Sequence, residues 1–149
     1  MAWNTIATSD VLNEFTPAEQ SALQSIQGAS IDLGAILTEA VNAMQGAVLA
    51  GGNQVGQPGT VPDQLRREVV AIARWNWLAS FPTLKALQSD ARKQAHDDAQ
   101  KRLDDVSMRR IKTEIPAQPQ KLQAPVNAVQ IVRRGVRFSP ESFEHIGST

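Results

Sequence analysis

There is no cysteine in these 149 residues, and no tyrosine. Without cysteine the chain can have no disulfide framework, no thiolate zinc site and no thiol nucleophile. Aromatic residues are sparse, three tryptophans and four phenylalanines, and two of the tryptophans, Trp75 and Trp77, fall in the most apolar helical pattern, which fits a core better than a ligand cage. An excess of one charge is also lacking: 15 basic and 15 acidic side chains cancel. That argues against a protein drawn to nucleic acid by its field, and it leaves little self-repulsion to oppose association. The most apolar helical run, AILTEAVNAMQGAVLA, carries Glu39, Asn42 and Gln45 and is not expected to span a membrane. The opening residues, MAWNTIATSD, offer neither a basic stretch nor an apolar core, so no signal peptide is expected there. The length suits one domain.

One further lack is local. Residues 1–62 hold Asp10, Glu14, Glu19, Asp32 and Glu39 but no lysine or arginine, whereas Lys121, Arg133, Arg134 and Arg137 outnumber Glu141 and Glu144 beyond residue 115. Either this is chance in a small protein, or it provides head-to-tail attraction between neighbouring copies, since a heterologous interface needs two complementary patches.

The local signals that are present are mostly helical. SDVLNEF reads as a first short helix capped by Thr8 or Ser9. Thr16, Pro17 and Glu19 form a capping box with a proline at the first helical position, and Gly28 closes that helix. Ser30 caps the next, roughly 31–50, whose Leu33, Ile36, Leu37, Ala40, Val41, Met44 and Val48 recur at three- and four-residue steps until Gly51-Gly52 stops them. Residues 51–60, GGNQVGQPGT, exclude a regular element and read as a connector or a partner-facing loop. Pro62 then opens PDQLRREVVAIARWNWLASF, apolar around most of its circumference with Arg66, Arg67 and Arg74 at its wet edge, a central core helix. Phe81-Pro82 breaks it. Ser89 caps a long helix over 90–111, whose thin seam is Ala91, Ala95, Ala99, Leu103 and Val106 and whose Asp97–Lys101, Asp98–Arg102 and Asp105–Arg109 are spaced for pairing along its face. Pro116, Pro119 and Pro125 mark an extended arm, followed by strand-type VQIVRRGVRF, either a small hairpin or a single bulged strand, and by SPESFEHI, a last helical turn.

The search for chemistry returns little. His96 lies beside Asp97 and Asp98, yet consecutive helical residues diverge by about 100°, so no metal cluster is expected. His145 has only Glu141 and Glu144 nearby in sequence. There is no phosphate-binding glycine motif and no nucleophile elbow, and the paired carboxylates Asp104 and Asp105, as neighbours along a helix, diverge. No enzyme and no cofactor are expected. Arg109, Arg110 and Lys112 close a helix where cations are favoured in any case. Trp75 and Trp77 belong to the core helix, while Trp3 is the better interface anchor. Beside the apolar Val129, Ile131 and Val132, the cluster Arg133, Arg134 and Arg137 alternates with Val136 and Phe138, which as a strand suits a protein groove or sheet edge on a partner at least as well as a phosphate backbone.

The order of IATSDVLNEF, a Gly-rich loop, VPDQLRREVVAIARWNWL and DARKQAHDDAQKRLDDV closing on IKTEIP resembles the small helical head–tail connector (adaptor, or head-completion) proteins of tailed bacteriophages, including the Mu-like family. The resemblance covers roughly residues 5–116, and Val61 to Trp77 carry most of it. It implies an all-α fold: a small helical bundle over residues 1–111 and a C-terminal arm over 112–149 that docks on the portal or a neighbouring copy. It also implies a homo-oligomeric ring of about twelve copies below the portal, located in the virion neck after assembly in the host cytoplasm. Such a ring extends the DNA channel without reading sequence and meets a tail or neck completion protein. The partner-facing residues are then expected to be Trp3, Val129, Ile131, Val132, Arg133, Arg134, Val136, Arg137 and Phe138. Asp10, Glu14, Glu19, Asp32 and Glu39 are candidates for a channel wall that repels DNA. A DNA-binding or packaging accessory module is the alternative.

Overall fold

The structure is a computed structural model and describes residues 2–26 and 33–121. It is predominantly helical with one two-stranded sheet. In chain order the elements are β1 (Trp3–Thr5), α1 (Thr8–Leu12), α2 (Pro17–Ile26), α3 (Leu33–Ala50), β2 (Thr60–Pro62), a 3-10 turn (Asp63–Leu65), α4 (Arg66–Ala79), a second 3-10 segment (Pro82–Leu87) and α5 (Asp90–Ser107).

Several boundaries follow from local chemistry. At the start of α2 the Thr16 N–H donates to Glu19 Oε2 at 2.9 Å, and the Glu19 N–H donates to Thr16 Oγ1 at 3.3 Å. This is the reciprocal box that the sequence predicts. Ser89 caps α5 by accepting from the Arg92 N–H at 3.3 Å. For α1 the capping residue is Ala7, not Thr8 or Ser9, because Asp10 reaches back to accept from the Ala7 N–H at 2.8 Å. Gly28 and Ser30 lie outside the described residues.

Two expectations are corrected. Pro62 does not open α4. It ends β2, which pairs antiparallel with β1 in the register Trp3↔Pro62, Asn4↔Val61, Thr5↔Thr60, and a 3-10 turn intervenes before Arg66. Proline at the end of a strand donates nothing to the ladder, so the pairing tolerates it. α5 also stops at Ser107, short of residue 111. Arg109 takes a left-handed conformation (φ 63°), and the Arg110 N–H returns to the Asp105 carbonyl at 2.9 Å. This is a Schellman-type ending with arginine where glycine is usual, so no residue type announced it.

The core is a single cluster in which α3 and α5 flank α4. α4 buries Val69, Val70, Ala71, Ile72, Ala73, Trp77 and Leu78. α3 contributes Leu33, Leu37, Ala40, Val41, Met44 and Val48, and α5 contributes Ala99, Leu103 and Val106. Trp77 is 1 % exposed and meets Phe15 and Phe81 edge-on, with ring centroids 5.9 and 6.1 Å apart. α3 is long and apolar enough to cross a membrane by length and composition, with mean hydropathy 1.3, but its buried stripe lies in this protein core. The C-terminal ends of α3 and α5 touch: a β-carbon on Gly51 would run into the Val106 carbonyl oxygen. Only glycine permits that approach.

Candidate functional site

The arm is where the sequence places function, and its first ten residues lie against the helical body. The chain from Lys112 to Lys121 has no regular secondary structure. It is held through its backbone. Trp3 Nε1–H donates to the Glu114 carbonyl at 2.8 Å, and Gln64 Nε2–H donates to the Lys112 carbonyl at 3.2 Å. Further on, Gln57 Nε2–H donates to the Gln118 carbonyl at 3.4 Å, and the Gln120 N–H donates to the Val55 carbonyl at 2.8 Å. Thr113 and Pro116 are buried, while Ile115 between them is 76 % exposed. The glycine-rich loop therefore has a definite task, since it forms the wall along which the arm runs. Gly56 lets the Trp3 ring lie against that wall, because a β-carbon there would come within 2.6 Å of the indole.

Trp3 is thus half-buried, and its indole N–H is used within the chain. Val129, Ile131, Val132, Arg133, Arg134, Val136, Arg137 and Phe138 lie outside the described residues, as do Asp32 and His145.

Three of the five acidic N-terminal residues have intramolecular partners. Asp10 pairs with Arg66 at 2.9 Å, Glu14 with Arg74 at 3.3 Å, and Glu19 with Arg92 at 3.0 Å. The charge asymmetry of the sequence is in this respect satisfied inside one copy: the acidic edge of α1 and α2 closes onto arginines of α4 and α5. Hydrogen bonds from the Ala7 N–H, and then from Arg66, hold the Asp10 carboxyl below its usual range. The Thr16 N–H, and then Arg92, do the same for Glu19. Burial pulls the Arg74 guanidinium below its usual value, opposed by Glu14. Glu39 is exposed and makes no ion pair among the described residues.

The pairs expected along α5 are replaced by others. Arg102 reaches Glu68 of α4 at 3.3 Å, and Arg110 reaches Asp105 at 3.0 Å. Arg102 gains more from a carboxylate that is only 13 % exposed than from Asp98 in water. His96 Nδ1 does lie 3.1 Å from Asp97 Oδ1, despite the helical divergence of their Cα–Cβ bonds. The ring of His96 is 6.2 Å from that of Trp75.

Among the described residues no group of three histidine, aspartate or glutamate side chains is placed to hold a metal. A cleft of about 470 Å³ between α4 and α5 is lined by Arg67, Glu68, Ala71, Asp98 and Arg102 among others, with no nucleophile and no histidine. A second, of about 360 Å³, lies at the foot of α3, between Leu49, Gly52 and Val55 on one side and Pro119 and Gln120 on the other. The outward face of α3 runs from that cleft through Gly46, Ala43, Asn42 and Ala35, and Glu39 is the one charged residue in the helix. The sequence shows this helix as apolar but does not say which of its uncharged residues stay outside.

Compared with known protein families, curated proteins and solved structures, the chain matches none.

Proposed function

We propose that this chain is a structural virion protein, a head–tail connector of a tailed bacteriophage. Its copies form a ring below the portal, extend the DNA channel and join the capsid to the neck or tail. The observation that carries the reading is the anchored root of the arm. Four hydrogen bonds from Trp3, Gln57, Gln64 and Gln120 fix the backbone from Lys112 to Gln120 on the body. The polypeptide beyond residue 121, with its five apolar residues and three arginines between 129 and 138, is therefore presented from a fixed point. A small helical body with such a presented segment suits an assembly protein whose copies must meet a portal in one orientation.

Arg66, Arg74, Arg92 and Arg102 are each committed to a carboxylate. This favours the connector over a DNA-binding accessory, because a phosphate-binding surface needs cations whose partners are counterions. The channel wall in this reading draws on Glu39 rather than on Asp10, Glu14 or Glu19, whose carboxylates already hold the body together.

Particle imaging of the purified full-length chain, with and without a portal, tests the reading. A closed ring stacked coaxially on the portal is the expected picture. A chain that stays solitary beside the portal and binds duplex DNA with a steep loss on raising salt would replace it with the packaging-accessory reading.

A further inference from the structure

α5 turns a heavily charged surface to solvent, while the outer face of α3 offers Ala35, Thr38, Asn42, Ala43, Gly46 and Leu49 with a single charge, Glu39, and the Thr38 hydroxyl is returned to the Gly34 carbonyl. Leu49 is 44 % exposed. A helix of 18 residues that is almost uncharged on its wet side is normally covered by something.

Three observations point to the occupant. The first is position: the described arm ends at the foot of this face. Pro119 and Gln120 form one wall of the cleft whose other wall includes Leu49 and Val55, and the Gln120 N–H bonds the Val55 carbonyl at 2.8 Å. The second is length. Residues 122–128 can reach at most about 25 Å, and α3 is about 27 Å long, so residues 129–138 can lie anywhere along it without leaving the molecule. The third is chemistry: Val129, Ile131, Val132, Val136 and Phe138 bring the apolar area that the face lacks, and Arg133, Arg134 and Arg137 bring cations to a surface whose one charge is Glu39.

We infer that the outer face of α3 is the docking surface for residues 129–138 of the same chain. Tethering favours this occupant over a second copy, because a segment joined to the edge of its site by a few residues acts at an effective concentration in the millimolar range. The inference stands independently of the connector reading. A free subunit then carries its arm on its own α3, and any partner that takes the arm uncovers that helix.

The natural absence of cysteine makes the test direct. Full-length chains carrying Val132→Cys together with Ala43→Cys, or together with Gly46→Cys, are oxidised at low protein concentration. A β-carbon at Gly46 meets no atom within 4 Å, so the result does not hinge on the fold tolerating one particular substitution. The comparison pair is Val132→Cys with Gln100→Cys, on the outer face of α5. Intramolecular linkage to α3 is expected about tenfold faster than linkage to α5, with the product migrating as a monomer. Equal rates to both helices would overturn the inference. So would a ladder of linked oligomers, which would assign the face to a second copy. An α3 face that is never linked to Val132→Cys in either pair would overturn it too. If the α3 pairs link but no ring forms on a portal, the connector reading fails and this one survives. The reverse result separates them the other way.

Discussion

Arg92 donates from Nη2 to both carboxylate oxygens of Glu19, at 3.0 and 3.1 Å, across 73 residues of sequence. The same guanidinium donates from Nη1 to the Leu87 carbonyl at 2.8 Å and lies 5.0 Å over the Phe15 ring. One side chain at the start of α5 therefore fastens α2, the end of α1's connection and the second 3-10 segment. Both charged partners are about four-fifths buried, so the pair exceeds an exposed surface bridge.

Glu19→Gln separates the charge from the cap, because the amide oxygen can still accept from the Thr16 N–H. A loss of about 1 kcal/mol is expected, read as a lower denaturation midpoint. Glu19→Ala removes the cap as well and should cost about 1–2 kcal/mol more. Equal costs for the two variants would show that the cap hydrogen bond from Thr16 adds nothing, and a Glu19→Gln variant as stable as the parent would show that Arg92 adds nothing.

Acid should open the same edge. Asp10 and Glu19 have folded-state pKa values below their ordinary ones. Their contribution is present in full above the ordinary carboxylate range and is lost as pH falls through about 4 and below. The melting temperature should drop between pH 5 and 3 (on the order of several degrees), and the drop should shrink in an Asp10→Asn, Glu19→Gln double variant. An identical pH profile in the variant would contradict this assignment.

Two glycines in one region should behave oppositely. Gly51→Ala drives a β-carbon into the Val106 carbonyl oxygen and should destabilise by about 1–3 kcal/mol. Gly46→Ala, in the exposed interior of α3 with open space around it, should stabilise by about 0.5–1 kcal/mol. Urea melts of the pair check both signs.

The indole of Trp3 should control how the arm begins. In the isolated chain trypsin is expected to spare Lys112, whose carbonyl is bound by Gln64. Trp3→Phe keeps most of the ring but loses the hydrogen bond to Glu114, and it should make Lys112 a cleavage site without changing the helical circular dichroism. If Lys112 is cut equally fast in both proteins, the indole does not hold the arm.

The helices were legible where their signals were local. Thr16-Pro17-Glu19, Ser89, Gly51-Gly52 and Phe81-Pro82 mark boundaries that the structure keeps, because a cap or a break depends on three or four consecutive residues. The stripes of α3 and α4 gave most of the core for the same reason. What stayed hidden is long-range. Three residues at β1 and three at β2 carry no periodicity, and their pairing spans more than fifty positions. Pro62 obeys the rule for a helix start and is used at a strand end instead. Arg109 ends α5 without a glycine. Of the candidate partner-facing residues, only Trp3 falls within the described residues, and its hydrogen bond to Glu114 reaches across 111 positions. No local pattern announces that.

That distance has a consequence for how the molecule is made. Glu114 leaves the ribosome 111 residues after Trp3, so β1 can pair with β2 well before its indole finds the arm. Until then the indole N–H that fixes the arm has no partner in its own chain, and crowded nascent copies have their greatest opportunity to exchange arms during that interval.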